Sequence, residues 1–259
     1  MSHDPRPSTI LVTTHHDPDG RMDDLIAPHF PALIGIVGAV AVQITETSAI
    51  GSALQLIALG ADVRAGPADS YALLGRSRRA ALELALQDEA ETIVFGDLDR
   101  MLHWAAFHPA ELRRVVRNGL IGDCCVLGRT RAAFASHPRC QRDTEAIINT
   151  VFAHASGKTW DICAAARLLS RRAAEELLAN CSEESIGTDG AWPLHLLRCG
   201  FDVRYLATRG LEFETADRFP VEVAAAGGRA GWVDALDADP REWERRLEVA
   251  RIEVAAITT

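Results

Sequence analysis

The sequence predicts an α/β protein: a three-layer α/β/α architecture with a mixed, mostly parallel central sheet. Three observations predict it. Strand-like and helix-like segments alternate over the first hundred residues, the signature of parallel strands joined by crossover helices. Polar clusters follow the carboxyl ends of three of those strands, where open α/β sheets bind ligands. The 259 residues, 48% of them hydrophobic, suffice for a full core.

Residues 1–8 are polar, carry two prolines and read as a loose leader. Residues 9–14 form a β-rich run and a first core strand. It runs into His15-His16-Asp17-Pro18-Asp19-Gly20 and Asp23-Asp24, a polar turn dense in possible ligands. A second strand is expected over 36–44; the apolar stretch 31–42 is too short for the ~20 residues of a membrane span and reads as that strand and its approach. Ser48 is placed to cap a helix through Leu59 that Gly60 ends, and residues 61–65 begin a third strand. After a turn at 66–69, a helix is expected over 80–86, then a strand over 92–95.

In the second half, helices are expected over 109–117 and 142–155, and strands over 123–127 and 160–166. Ser170 caps a helix through Leu178; Asp189 lies before an amphipathic helix that Gly200 closes; residues 201–206 form a further strand. Asp239-Pro240 opens a charged final helix to about Val254. No repeat or linker interrupts the chain, so one continuous domain over 1–259 is expected, with halves at about 9–106 and 107–219 and a tail at 220–259.

A net charge of −9 and a pI near 5.5 argue against a nucleic-acid-binding surface. The six cysteines form no C-x-x-C pair and read as reduced, mostly buried thiols of a cytoplasmic protein. No signal peptide opens the chain and no membrane span is expected.

The chemistry centres on Ile93-Val94-Phe95-Gly96-Asp97-Leu98-Asp99-Arg100, an apolar run ending in two carboxylates one residue apart. Such a strand end can hold a hard divalent ion, with coordination positions open to phosphate oxygens, or can simply lead into an acidic turn. Arg76, Arg78 and Arg79 lie at a helix start, where backbone amides also favour anions.

In the order of these elements the chain resembles the GT-A glycosyltransferases, particularly the bacterial family-2-like enzymes that use nucleotide-diphosphate sugars. The matching positions are Thr13 to His15, Glu46, Gly75 to Arg79, Asp97-Leu98-Asp99 and Thr188-Asp189-Gly190, and the resemblance runs from about Thr9 to Phe219. It implies a GT-A fold and a hexosyltransferase-type enzyme with Mg²⁺ or Mn²⁺, a nucleotide-diphosphate sugar donor, and a small-molecule or glycan acceptor. Homo-oligomerisation is compatible with this reading. The resemblance further implies Asp99 and Asp97 at the metal, and Thr13, His15, Glu46, Arg76, Arg79 and Asp97 at the nucleotide sugar. Asp189 becomes the base of an inverting transfer or, in a retaining one, the group that positions the acceptor; a helix N-cap is the alternative. Trp192 and His103 become acceptor contacts. The chain departs from the pattern in its first turn and in Glu46, where an Asp-Asp pair is commoner, and His195 is the sole match for a late histidine ligand.

His15, His16, Asp17 and Asp19 support a rival, a metal-dependent hydrolase similar to DHH-type phosphoesterases or zinc-dependent sugar deacetylases, although no downstream Asp-His-His motif accompanies them. A non-catalytic sugar-nucleotide-binding protein is a third reading, against which the intact Asp97/Asp99 pair argues.

Overall fold

Leu11 and Val12 are both fully buried, yet adjacent strand residues point to opposite faces, so each must enter a separate core. The structure is a computed structural model that describes residues 9–67, 70–118 and 120–259. The leader at 1–8, and Ala68 and Asp69 of the expected turn, lie outside the described residues.

The chain runs β1 (Thr9–His15), α1 (Asp23–Val37), β2 (Ala39–Thr45), α2 (Ile50–Ala58), β3 (Asp62–Gly66), α3 (Leu74–Ala85), β4 (Thr92–Asp97), α4 (Leu98–Phe107) and α5 (Pro109–Asn118). It continues through β5 (Cys124–Arg129), α6 (Arg131–Ala135), α7 (Arg139–Ser156), β6 (Ala166–Ser170), α8 (Arg171–Asn180), α9 (Thr188–Arg198) and β7 (Val203–Thr208). A 3₁₀ turn at Thr215–Arg218, then α10 (Pro220–Ala225), α11 (Arg229–Ala238) and α12 (Pro240–Thr258) complete it.

Among the described residues the sheet has seven strands in the order β3-β2-β1-β4-β6-β5-β7, and strands from both halves of the chain share it. β6 runs antiparallel to β4 and β5; the other pairings are parallel. The predicted mixed, mostly parallel sheet is therefore present. One core packs Val12, Ile93 and Phe95 against α3, α7, α8, α9 and α12; the other packs Leu11 and Val94 against α1, α2, α4 and α5. At about 25 cal/mol per Å² of apolar surface buried, these two cores are the main force holding the layers together. No helix among the described residues is long and apolar enough to cross a membrane.

Four expectations need correction. The second strand starts at Ala39, not at 36, and residues 31–37 are the end of α1: Ile26, Phe30, Leu33 and Val37 fall four, three and four apart on one buried helical face, while Pro28 and Pro31 sit exposed on the other side. Ser48 does not cap α2; its hydroxyl accepts the Asp17 backbone N–H at 3.0 Å, and Ala49 occupies the cap without a side-chain bond. Residues 160–165 are irregular because Ala165 turns to φ 51°, which breaks the extended run just before β6. Asp189 lies in the first turn of α9 and Gly187 holds the N-cap position. Ser170 does cap α8, its hydroxyl accepting the Ala173 N–H at 3.1 Å.

Candidate active site

The parallel strands bring their carboxyl ends to one rim. The chain moves outward from β1 through β2 to β3 and then returns to place β4 on the other side of β1, so the strand order reverses between β1 and β4. Doubly wound sheets bind ligands in the crevice at such a reversal. Here the two strand ends are tied together: the Thr14 hydroxyl donates to Asp97 Oδ1 at 2.9 Å.

Asp97 and Asp99 project from the end of β4 and the start of α4, with side chains 25% and 21% exposed. Arg78 and Arg100 approach Asp97 Oδ2 at 3.8 and 3.7 Å. Arg218, from the segment after β7, approaches Asp99 at 3.5 Å and Asp17 at 3.8 Å. Arg100 also reaches Glu214 at 3.6 Å and donates to the Ala164 carbonyl at 3.1 Å. Burial works against its charge, yet Glu214, Asp97 and Asp99 together raise its pKa above the ordinary arginine value. Beside Asp99 lies a cavity of about 180 Å³ lined in part by His29, His103, Phe107, Glu214 and Asp217. His103 sits against Asp217 at 2.5 Å and Glu212 at 3.4 Å; burial opposes its charge, but the Asp217 contact and charge raise its pKa overall.

The other residues named from the sequence fall in varied places. Thr13 is fully buried in β1 and its hydroxyl turns to the Thr14 carbonyl. His15 is buried, its Nε2 has no hydrogen-bond partner, and burial lowers its pKa to about 4. Glu46 is exposed just past β2, its N–H held by the Gly66 carbonyl at 2.7 Å. Arg76 turns outward to Glu184 at 2.7 Å, and Arg79 donates to the carbonyls of Leu177, Leu178 and Cys181 near the end of α8. Arg78, between them, turns inward: it donates to Asp189 and to the Thr188 hydroxyl, each at 2.8 Å, and faces Asp97.

Asp189 is therefore buried between two guanidiniums, with Arg167 at 3.3 Å as the second. Burial pushes its carboxyl up, against the pull of both arginines. Trp192 is fully buried against Phe95 and under Arg167, whose guanidinium lies 5.2 Å from its ring centroid. His195 pairs with Glu176 at 2.9 Å, toward the opposite end of α9 from Asp189.

No protein-family model and no curated protein sequence matches the chain. Solved structures do. A glucosyl-3-phosphoglycerate synthase from Mycobacterium tuberculosis, in complex with Mn²⁺, UDP and phosphoglyceric acid, superposes with a TM-score of 0.53 at 16% identity, over 78% of this chain and 68% of that one. A second structure of the M. tuberculosis synthase gives 0.52 at 17% identity, over 78% and 72%. A third, with Mn²⁺, UDP and glucosyl-3-phosphoglycerate, gives 0.50 at 15% identity, over 87% and 80%. The fold is GT-A.

Within the GT-A fold, a divalent ion is the group to test against the residues present. Asp97 and Asp99 offer hard oxygen donors, and Asp99 opens onto the cavity. Among the described residues they gain no third His, Cys, Asp or Glu with ligand atoms all within 4.8 Å. One or two carboxylates, with phosphate and water filling the other positions, are the usual Mg²⁺ set, so the residues fit. His15, His16, Asp17 and Asp19 likewise bring no three ligand atoms within 4.8 Å of one another, and a zinc hydrolase site would need them. Asp17 accepts the Arg21 and Met22 N–H groups at 3.0 and 2.7 Å in the turn before α1, His16 contacts the Thr45 hydroxyl, and Asp19 faces solvent beside Arg21.

Sequence reasoning missed Arg218, Glu214 and Asp217. They reach the rim because β7 runs parallel to β5, a pairing that no local sequence pattern announces.

Proposed function

We propose that the chain moves a sugar, of the hexosyl class, from a nucleotide-diphosphate donor to an acceptor hydroxyl with the aid of Mg²⁺ or Mn²⁺. The observation that carries this reading is the Asp97/Asp99 pair at the carboxyl end of β4, at the strand-order reversal of a GT-A fold. Asp99, open to the cavity, holds the ion; Asp97, fixed by Thr14 from one side and Arg78 and Arg100 from the other, contacts ribose or ion. When bound, the ion neutralises charge that develops on the leaving diphosphate. Arg218 lies beside the same carboxylate and can follow that charge. In this reading His15 and Glu46, at the ends of β1 and β2, contact the nucleoside, and His103, on the cavity wall, contacts the acceptor.

Asp189 is read as a positioning residue, because its carboxylate fixes the guanidinium that reaches Asp97. The acceptor is a small molecule or a glycan. The solved neighbours with UDP, Mn²⁺ and Mg²⁺ make UDP-sugars the first donors to try. Five buried cysteine thiols suit a reducing, cytoplasmic setting.

A melting series with UDP-, GDP- and dTDP-sugars, each with and without Mn²⁺, tests the reading. A donor at a hundred times its dissociation constant stabilises the fold by about 2.7 kcal/mol. The gain should require the metal and vanish in Asp99→Ala. No gain with any donor would overturn the assignment.

A further inference from the structure

Glu176, His195 and Cys199 bring three different metal-ligating atoms together on the surface formed by α8 and α9. Their atoms all lie within 4.8 Å of one another, and among the described residues no other three His, Cys, Asp or Glu side chains do so. His195 and Cys199 stand four residues apart at the end of α9, which places both on one helical face. Glu176 approaches from α8.

Both partners converge on one atom. Glu176 Oε1 lies 2.9 Å from His195 Nε2, and Cys199 Sγ lies 3.6 Å from the same nitrogen. Without a cation, His195 Nε2–H and the Cys199 thiol both donate to the Glu176 carboxylate; a cation at their centre takes the place of both protons. Tetrahedral zinc, with Zn–S near 2.3 Å and Zn–N near 2.05 Å, sets an S···N separation of about 3.5 Å and an N···O separation of about 3.3 Å. The first matches the observed spacing and the second requires only that Glu176 draw back by a few tenths of an ångström. The imidazole and carboxylate are each about one-fifth exposed and Cys199 is exposed, so an ion can enter and keep a water in the fourth position.

We propose that these three residues form a binding site for a zinc-class divalent cation that clips α8 to α9. The mixed N, S, O set suits zinc or cobalt(II) and disfavours magnesium, which takes oxygen ligands. On binding, the Cys199 thiol gives its proton to solvent and its sulfur bonds the metal as thiolate. The site is separate from the Asp97/Asp99 rim: Cys199 lies ten residues beyond Asp189 along α9 and its cap, about 15 Å at the helical rise.

Cobalt(II) titrated into the metal-free full chain tests this. Cobalt bound by a thiolate gives a near-ultraviolet charge-transfer band that carboxylate-bound cobalt at the rim does not give. The band should saturate at one equivalent, disappear in Cys199→Ser, and persist in Asp99→Ala. His195→Gln should weaken cobalt binding by about tenfold or more, with far-ultraviolet circular dichroism unchanged. Absence of the band in the wild-type chain, or its survival in Cys199→Ser, would overturn the proposal.

Discussion

Arg78 is 2% exposed and touches Asp189, Thr188 and Asp97, so one side chain joins the end of β4 to the start of α9. Burial alone would lower its pKa; Asp189 and Asp97 more than offset that and hold it charged. Such a pair contributes little net stability when intact but is costly to break, because the surviving charges stay buried. Asp189→Ala strands Arg78 and Arg167 together and should destabilise by roughly 3–5 kcal/mol in urea unfolding. A loss below about 1 kcal/mol would show that water already reaches the site.

His137 gives a pH prediction of opposite origin. It is buried, its Nδ1–H donates to the Ala133 carbonyl at 3.0 Å, and burial with nearby Arg129 and Arg100 holds its pKa well below the ordinary value. The unfolded chain takes up a proton near pH 6.5 that the folded chain refuses, so the His137 contribution is intact above about pH 6.5 and falls by up to about 1.4 kcal/mol per pH unit below it. His137→Asn should flatten the decline in urea-derived stability between about pH 7.5 and pH 5.5 relative to the wild-type chain. Equal slopes in the two proteins would refute that account.

At the scale of elements, α3 shows how one helix anchors a whole neighbouring segment. Arg76, Arg78 and Arg79 all engage residues 177–189, and the Ile186 N–H is held by the Tyr71 carbonyl at 2.7 Å. The close approach depends on Gly75, where an added Cβ would lie 2.5 Å from the Glu184 carbonyl carbon. The sequence shows three arginines at a helix start; which of them turns inward depends on where residues 184–189 lie. The helix α1 teaches the converse. Its buried face is carried by the spacing of Ile26, Phe30, Leu33 and Val37, while Pro28 and Pro31 locally disfavour a helix interior. Packing against the sheet and α4 overrides that local preference. Because Pro31 is exposed, Pro31→Ala should stabilise the fold by about 2 kcal/mol: about 3 kcal/mol recovered in the helix interior, less about 1 kcal/mol for the looser unfolded chain. A lower melting temperature for Pro31→Ala would show that the proline bend is required for packing.

Over the whole molecule, residues far apart in sequence close on the rim. Arg218 reaches Asp99 and Asp17, Arg100 reaches Glu214, His103 reaches Asp217, and Arg21 reaches Glu222. The segment after β7 thus covers the end of β4, so on the proposed function a donor held at Asp99 lies against both. Hydrogen exchange with UDP-sugar and Mn²⁺ should therefore slow at residues 209–218 as well as at 97–100, while α12 stays unchanged. Protection confined to 97–100 would mean that the late segment takes no part in donor binding.

The sequence by itself determined the layers and the ligand rim. Alternating strand and helix patterns dictate a parallel sheet, and a parallel sheet puts Thr14, Glu46 and Asp97 at the same edge by connectivity alone. Tertiary structure alone decided which charged residues face that edge and which face away. Arg78 and Asp189 neutralise each other across more than a hundred residues, Trp192 fills the core, and Arg218 returns to Asp99. Pairings of this kind depend on where distant segments come to lie, and no local pattern encodes that distance. The Asp97/Asp99 pair is legible as two letters in a strand end; its surroundings exist only once the chain has closed around it.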